Sequence, residues 1–279
     1  MDINRSSSNV ERLKSEAKRM RRMAIEMAHV AGPKGAHIGG GFSCMEIMTV
    51  LYCEVLRLDP QNPLNPERDR FLASKNHCTL AHFPALVEAG YLEENELYTF
   101  CQDGSRLIGY PYAPEIGLEY AGGSLGMALS VGVGQALSAR EKKQPQHIYV
   151  LMGDGELNEG SVWEAIMSGA QYRLSNLTAI IDRNHLCYDG DTEAVMGLGD
   201  LGAKFNAFGW NVITCNGHDI LDLLRAFSEQ KEDMPNVIIA ETIKSKGLPF
   251  AEGKPEWHQH TLDDLQYEQA IAELEEAFE

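Results

Sequence analysis

The stretch VLMGDGELNEGSVWEA, Val150 to Ala165, carries an apolar run into Gly153-Asp154-Gly155 and then sets two acids, Glu156 and Glu159, at what reads as a helix start. A carboxylate between two glycines packs poorly at the end of a buried strand, so Asp154 reads as a residue that holds something. Asn184 stands thirty residues on, just after the apolar run LTAIID. A carboxylate and an amide oxygen at neighbouring strand ends suit Mg²⁺ or Ca²⁺, hard cations that take oxygen ligands and keep positions for phosphate and water. The flanking glycines let backbone approach a diphosphate. A glycine turn around Asp is common in its own right; the reading rests on Gly-Asp-Gly and Asp-x-Asn each following a strand. No Gly-x-Gly-x-x-Gly follows the first strand of a βαβ unit and no Walker A sequence occurs, so neither nucleotide fingerprint fits.

Four short β-rich runs, HIYVLM, LTAIID, WNVITC and NVIIAETI, are separated by helical patterns near Ser161 to Tyr172 and Ile220 to Glu229. Strands alternating with helices predict an α/β fold with a mostly parallel central sheet and helices on both faces. Ligands of such sheets bind beyond the carboxyl ends of the strands, where Asp154 and Asn184 fall. Upstream, Val10, Leu13, Ala17, Met20, Ala24, Met27 and Ala31 recur at helical steps. A helix over about Ser43 to Leu56 opens on a capping box of Ser43 and Glu46. DRFLASKN reads as a strand and turn, followed by amphipathic helices over about Thr79 to Ala89 and Glu93 to Cys101. The aperiodic stretch Gly104 to Gly122 reads as a binding loop. The small residues of Ser124 to Arg140 suit a helix lying close to its neighbours, and a last helix aligns Tyr267, Ile271, Leu274 and Phe278. No repeat or linker interrupts the chain, so residues 1–279 are expected to form one domain.

A net charge of −17 argues against a nucleic-acid footprint or an anionic membrane surface. The one basic run, RLKSEAKRMRRM, lies within the first helical pattern and reads as a solvated face. Six scattered cysteines without a Cys-x-x-Cys pair fit reduced thiols, and no segment is apolar enough for a membrane span or signal peptide. A cytoplasmic protein is expected.

The Gly-Asp-Gly and Asn pair resembles the thiamine-diphosphate motif, and the neighbouring segments narrow the resemblance to the transketolase family. GAHIGGGFS is similar to that family's GHPG segment, DRFLASKNH to its DRF-x-x-S-x-GH, GGSLGMALSVGVGQA to its TG-S/P-LGQG stretch and EWHQH to its late histidine. The resemblance runs from about Glu16 to His260. It implies thiamine diphosphate held through Mg²⁺ or Ca²⁺, with Asp154, Asn184 and the Leu186 carbonyl as metal ligands. It also implies that Gly123, Leu125, Gly153 and Gly155 line the cofactor. Glu159 matches the family's acid where two subunits and their cofactors meet, and Glu164 lies a turn further along the same helix. His37, His77 and His258 match histidines around the thiazolium and the donor's hydroxyls. His258 with His37 would take the C3 hydroxyl proton, and His77 would face the cofactor and the carbonyl-side hydroxyl. Imidazoles suit that work because their ordinary pKa is near neutral.

The pattern breaks in two places. LIGYPYAPE puts Tyr110 where the family usually has His, and a phenol can hydrogen-bond a substrate hydroxyl but is no base near neutral pH. The chain also ends after the diphosphate-binding domain. The resemblance therefore implies the N-terminal subunit of a split transketolase, transferring a glycolaldehyde unit from a ketose, by default a ketose phosphate, to an aldose. It would act only with a C-terminal subunit carrying the pyrimidine-binding domain, as an α₂β₂ heterotetramer. Two other functions compete: the α subunit of a 2-oxo acid dehydrogenase, which shares Gly-Asp-Gly, and a cofactor-binding scaffold without activity. The unpartnered chain is expected to expose an apolar surface including Met127, Leu157 and Trp163.

Overall fold

A computed structural model describes residues 3–276. Its centre is a five-stranded parallel sheet of β1 (Arg70–Ala73), β2 (Ile148–Gly153), β3 (Leu177–Arg183), β4 (Asn211–Asn216) and β5 (Asn236–Glu241), in the order β1-β2-β3-β5-β4. β2, β3 and β5 are apolar almost throughout because both of their faces are covered. Alternate side chains divide between two cores. Tyr149, Leu151, Ile180, Ile238 and Ala240 face one, and Val150, Met152, Ala179, Ile181 and Ile239 face the other.

The first core is closed by α1 (Ser7–Val30), α2 (Ile38–Phe42), α3 (Met45–Val50) and α4 (Thr79–Glu88), and the second by α5 (Ala128–Glu141) and α6 (Gly160–Gln171). Two short helices, α7 (Thr192–Met196) and α8 (Leu201–Ala207), follow β3; α9 (Ile220–Ser228) joins β4 to β5, and α10 (Asp264–Glu276) packs on α1. The small residues of α5 do bring it close. A Cβ added at Gly132 would meet Val150 Cγ2 at 2.8 Å.

Several expectations need correction. The helix expected from Ser43 to Leu56 is reduced to α3 and a π turn at Leu51–Val55, with α2 ending just before it at Phe42, and no capping box forms. Ser43 Oγ instead donates to Asp182 at 2.5 Å, and Glu46 receives Arg21. Arg21 is thus the exception in the basic run: it is buried, and its Nη1 also reaches the Lys246 carbonyl at 2.5 Å. The segment expected as a helix from Glu93 is a 3₁₀ turn at Glu94–Thr99, where Leu97 alone is buried, too little apolar surface to dock a longer helix. α5 starts at Ala128 rather than Ser124, because Gly126 takes a left-handed φ of 79°. In α10, Leu274 is buried while Tyr267 and Ile271 pack partly against the core; Phe278 lies outside the described residues. Leu157 is buried at 1% exposure, so only Met127, about half exposed, and half-buried Trp163 remain of the expected apolar surface.

Candidate functional site

Gly153-Asp154-Gly155 closes β2 and Asn184 follows β3 directly, side by side at the carboxyl edge because Gly153 pairs with Asp182. A cavity of about 280 Å³ opens there. Gly123, Leu125, Gly153, Asp154, Gly155, Asn184 and Leu186 line it together with His77, Tyr110 and His258. Among the described residues, and its chain neighbours apart, nothing lies within 4 Å of a Cβ built on Gly153, so backbone faces open space there.

Asp154 is 2% exposed. Its Oδ1 accepts from the Gly155 N–H at 2.8 Å, and its Oδ2 from the His185 N–H at 2.6 Å and Arg183 Nη1 at 3.2 Å. Burial, with Asp182 nearby, pushes its pKa up. Asn184 Oδ1 accepts from the Leu186 N–H at 3.1 Å, while its Nδ2 donates to Asp182 at 3.3 Å, which fixes the amide's orientation. Among the described residues no three His, Cys, Asp or Glu side chains cluster as a metal site. A cation fits here through mixed hard oxygens instead: Asp154 Oδ1 and Asn184 Oδ1 each accept one hydrogen bond and keep a lone pair.

Three imidazoles from three distant segments meet beside this edge: His77 and His258 line the cavity, and His37 packs against both. The loop after α1 bridges the late loop through Ala36 and His260, each N–H donating to the other's carbonyl, at 2.9 and 3.0 Å. That brings His37 and His258 together. Ring centroids are 5.6 Å apart for His37–His258, 5.4 Å for His37–His77 and 5.1 Å for His77–His258. Burial lowers the pKa of all three, His258 to about 3 with help from Lys244 and His77 well below its ordinary value with help from Lys75. They are therefore neutral at neutral pH, each with one donor and one acceptor nitrogen, a departure from the near-neutral titration the sequence suggests. Among the described residues, His258 Nδ1 is buried without a hydrogen-bond partner. Tyr110 stands edge-on to His37 at 5.7 Å, its hydroxyl 3.4 Å from Nε2. Glu159 and Glu164 stand outside the cavity, exposed at and beyond the start of α6.

The floor contains groups the sequence reading missed. Lys75 Nζ donates to Asp182, and both are fully buried. Burial works to lower the Lys75 pKa, but Asp182 together with the Cys44 and Cys78 thiols outweighs it and raises it; burial likewise works to raise Asp182, and Lys75 with the Ser43 and Thr242 hydroxyls holds it down. Glu156 Oε1 accepts from Ser74 Oγ and from the Gly126 N–H at 2.7 Å, and its Oε2 from the Gly153 N–H at 3.2 Å, tying together three loops that wall the cavity. Lys244 Nζ reaches the carbonyls of Leu186 at 3.2 Å and Cys187 at 2.9 Å; burial, with Lys75, lowers its pKa to about 8. Tyr188 sets its ring 5.2 Å from His258. Charged residues at the ends of apolar runs, Lys75 after FLAS and Asp182 within LTAIID, were the available signal.

A parallel sheet with glycine turns, hard oxygen donors and imidazoles at its carboxyl edge defines an α/β protein of the cofactor-binding kind. Residues 13–277 match the transketolase, thiamine diphosphate binding domain family, and the chain belongs to it. It is 40% identical over 272 residues to one of the subunits of apulose-4-phosphate transketolase from Phocaeicola vulgatus, covering 97% of this chain and 96% of that protein. It is 36% identical over 266 residues to a 6-deoxy-6-sulfo-D-fructose transketolase subunit of a Clostridium species, covering 94% and 96%. Transketolase from Campylobacter jejuni superposes with a TM-score of 0.87 at 28% identity, over 95% of this chain and 42% of that one. The chain thus spans nearly the whole of the split subunits and about two-fifths of the single-chain enzyme. Of the two enzyme readings, transketolase stands and the 2-oxo acid dehydrogenase α subunit does not.

Proposed function

We propose that this chain is the diphosphate-binding subunit of a two-subunit transketolase, transferring a glycolaldehyde unit from a ketose to an aldose. The observation that carries it is the triangle of His37, His77 and His258, with centroids 5.1 to 5.6 Å apart, of which His77 and His258 line the same cavity as the Gly-Asp-Gly turn. Asp154, Asn184 and the Leu186 carbonyl would hold Mg²⁺ or Ca²⁺, and Gly123, Leu125, Gly153 and Gly155 would pass close to the diphosphate. Thiamine diphosphate, when bound, supplies the nucleophilic carbon and the electron sink for breaking the C2–C3 bond of the ketose. His258 with His37 takes the proton of the C3 hydroxyl, and His77 orients the carbonyl-side hydroxyl. Neutral imidazoles are in the form that accepts a proton. Tyr110 donates or accepts a hydrogen bond at the donor's hydroxyls, where it cannot act as a base.

We place residues 1–279 in one domain that needs a C-terminal partner, in an α₂β₂ assembly with Glu159 and Glu164 toward the subunit contact. Relatives of the same length named as subunits support a partner. Their names point to branched or sulfonated ketoses beside the default pentulose phosphates. The six cysteines are free thiols, and among the described residues no helix is long and apolar enough to cross a membrane; a cytoplasmic location is part of what we propose. The test is calorimetry with thiamine diphosphate and Mg²⁺ on the complex with the cognate C-terminal subunit, followed by a panel of a pentulose 5-phosphate, apulose 4-phosphate and 6-deoxy-6-sulfofructose. Wild type should bind and cleave one of them, and Asp154→Ala should lose metal-dependent binding while keeping its fold. Equal affinity in the variant, or turnover by the isolated chain, would sink the reading.

A further inference from the structure

Arg183 ends β3 with its side chain only 7% exposed, yet the chemistry above gives it no task. Its Nη1 donates to Asp154 Oδ2 at 3.2 Å and to Thr192 Oγ1 at 2.9 Å, and its Nη2 to Glu193 Oε1 at 2.7 Å. Glu193 lies in the first turn of α7, which Asp191 caps by accepting from the Glu193 and Ala194 N–H groups. The Glu193 carboxylate also accepts from the Leu198 N–H at 3.2 Å and the Gly199 N–H at 3.0 Å. One guanidinium therefore sits between two carboxylates, and the outer of these is itself fixed by backbone.

A buried guanidinium is costly unless counter-charge and hydrogen bonds surround it, and Asp154 on one side with Glu193 on the other supply both. The inner carboxylate has the matching need. Asp154 is buried close to a second carboxylate, Asp182, and a cation at hydrogen-bond distance offsets that repulsion. The guanidinium is planar with donors in a rigid fork, so it fixes direction as well as charge. Its contact is on Oδ2, which also accepts from the His185 N–H at 2.6 Å, and the Gly155 N–H takes one lone pair of Oδ1, which leaves the second lone pair of Oδ1 turned to none of them.

We propose that Arg183, anchored by Glu193, is a positioning residue that holds the Asp154 carboxylate in the orientation in which it ligates a divalent cation. The inference rests on the reading of Asp154 as a metal ligand. Outer contacts that orient a ligating side chain change metal affinity by about 10- to 100-fold when removed. That is the effect expected here. It is a change in affinity, separable from stability when measured well below each variant's Tm.

The test titrates Mn²⁺ with inorganic diphosphate into the full chain, read by the electron paramagnetic resonance signal of free Mn²⁺, for wild type, D154A, R183M, R183K and E193Q. Thermal unfolding of each variant runs alongside. D154A should lose binding, R183M should weaken it by about 10- to 100-fold, R183K should recover part of the loss and E193Q should weaken it by a smaller factor. Loss in D154A with R183M binding as tightly as wild type, or tighter, overturns the role of Arg183 and leaves the metal site standing. Equal binding, or none, by both wild type and D154A overturns the metal site and the inference with it. Should R183M fail to fold, E193Q carries the test, and unchanged affinity in that variant overturns the anchoring role.

Discussion

Replacing Lys75 by Met removes the charge under the site and keeps most of the side chain's length and volume, so the loss is electrostatic rather than a cavity. Lys75 and Asp182 have side-chain exposures of 2% and 0%. Deleting one partner of a buried pair costs about 3–5 kcal/mol because the other charge is left unmatched. Asp182 keeps Ser43 at 2.5 Å, Thr242 and the Asn184 amide at 3.3 Å, which places the expected cost at the lower end, about 3 kcal/mol. At about 2–4 °C per kcal/mol for a chain near this size, Tm should fall by roughly 6–12 °C. The pH dependence gives a second reading. In the wild type Asp182 is held below its ordinary pKa, so its stabilisation is present above the unfolded carboxylate value of about 3.9 and lost as pH falls through the folded one. In the variant the main counter-charge is gone and burial is opposed only by the remaining hydroxyl and amide donors, so the folded pKa is expected to rise above the unfolded one, and lowering the pH stabilises Asp182 as the acid. The deficit of K75M relative to wild type should therefore shrink as pH drops from 7 toward 4, and K75M/D182N should recover most of it at pH 7. Urea unfolding of the three proteins at both pH values measures this. A deficit below about 1 kcal/mol, or one that does not move with pH, would refute the argument that an uncompensated charge is the cause.

Tyr110→His, with the hydroxyl contact to His37 exchanged for an imidazole, should change the ratio of kcat/KM between two ketoses in the reconstituted complex; an unmoved ratio would mean that Tyr110 only packs its loop. His82 and His147 are held by burial at about 3 and about 4, below the unfolded value of about 6.5, so the unfolded chain takes up protons first as the solution is acidified. Stability should fall from pH 6.5 toward 4. His82→Gln and His147→Gln should each flatten that fall in urea midpoints, and identical slopes in all three proteins would contradict the assignment.

The parallel sheet was legible because its strands are short apolar runs spaced by helical periods, and the edge on which ligands sit followed from topology. Asp154 and Asn184 could be found because glycines and polar residues directly after such runs have no packing role to explain them. The histidines needed family motifs, since His37, His77 and His258 stand far apart in the chain and their sequence surroundings do not pair them; the bridge between Ala36 and His260 brings His37 to His258, and His77 packs against both. The capping box at Ser43 and Glu46 failed for a similar reason. A local pattern promised a helix start, while the long-range partners Asp182, Arg21 and His218 claimed both side chains.

Local propensity and periodicity thus specified the strands, most of the helices, and the glycine turn that bears Asp154, because each depends on neighbours within a few residues. The burial of Arg21, Lys75 and Arg183 could not be read that way. A basic residue on a strand end or helix face is ordinarily solvated, and it becomes an interior charge only when a carboxylate from a distant segment meets it: Glu46 for Arg21, Asp182 for Lys75, Asp154 and Glu193 for Arg183. The low imidazole pKa values have the same origin, since desolvation is a property of the assembled edge rather than of any one residue.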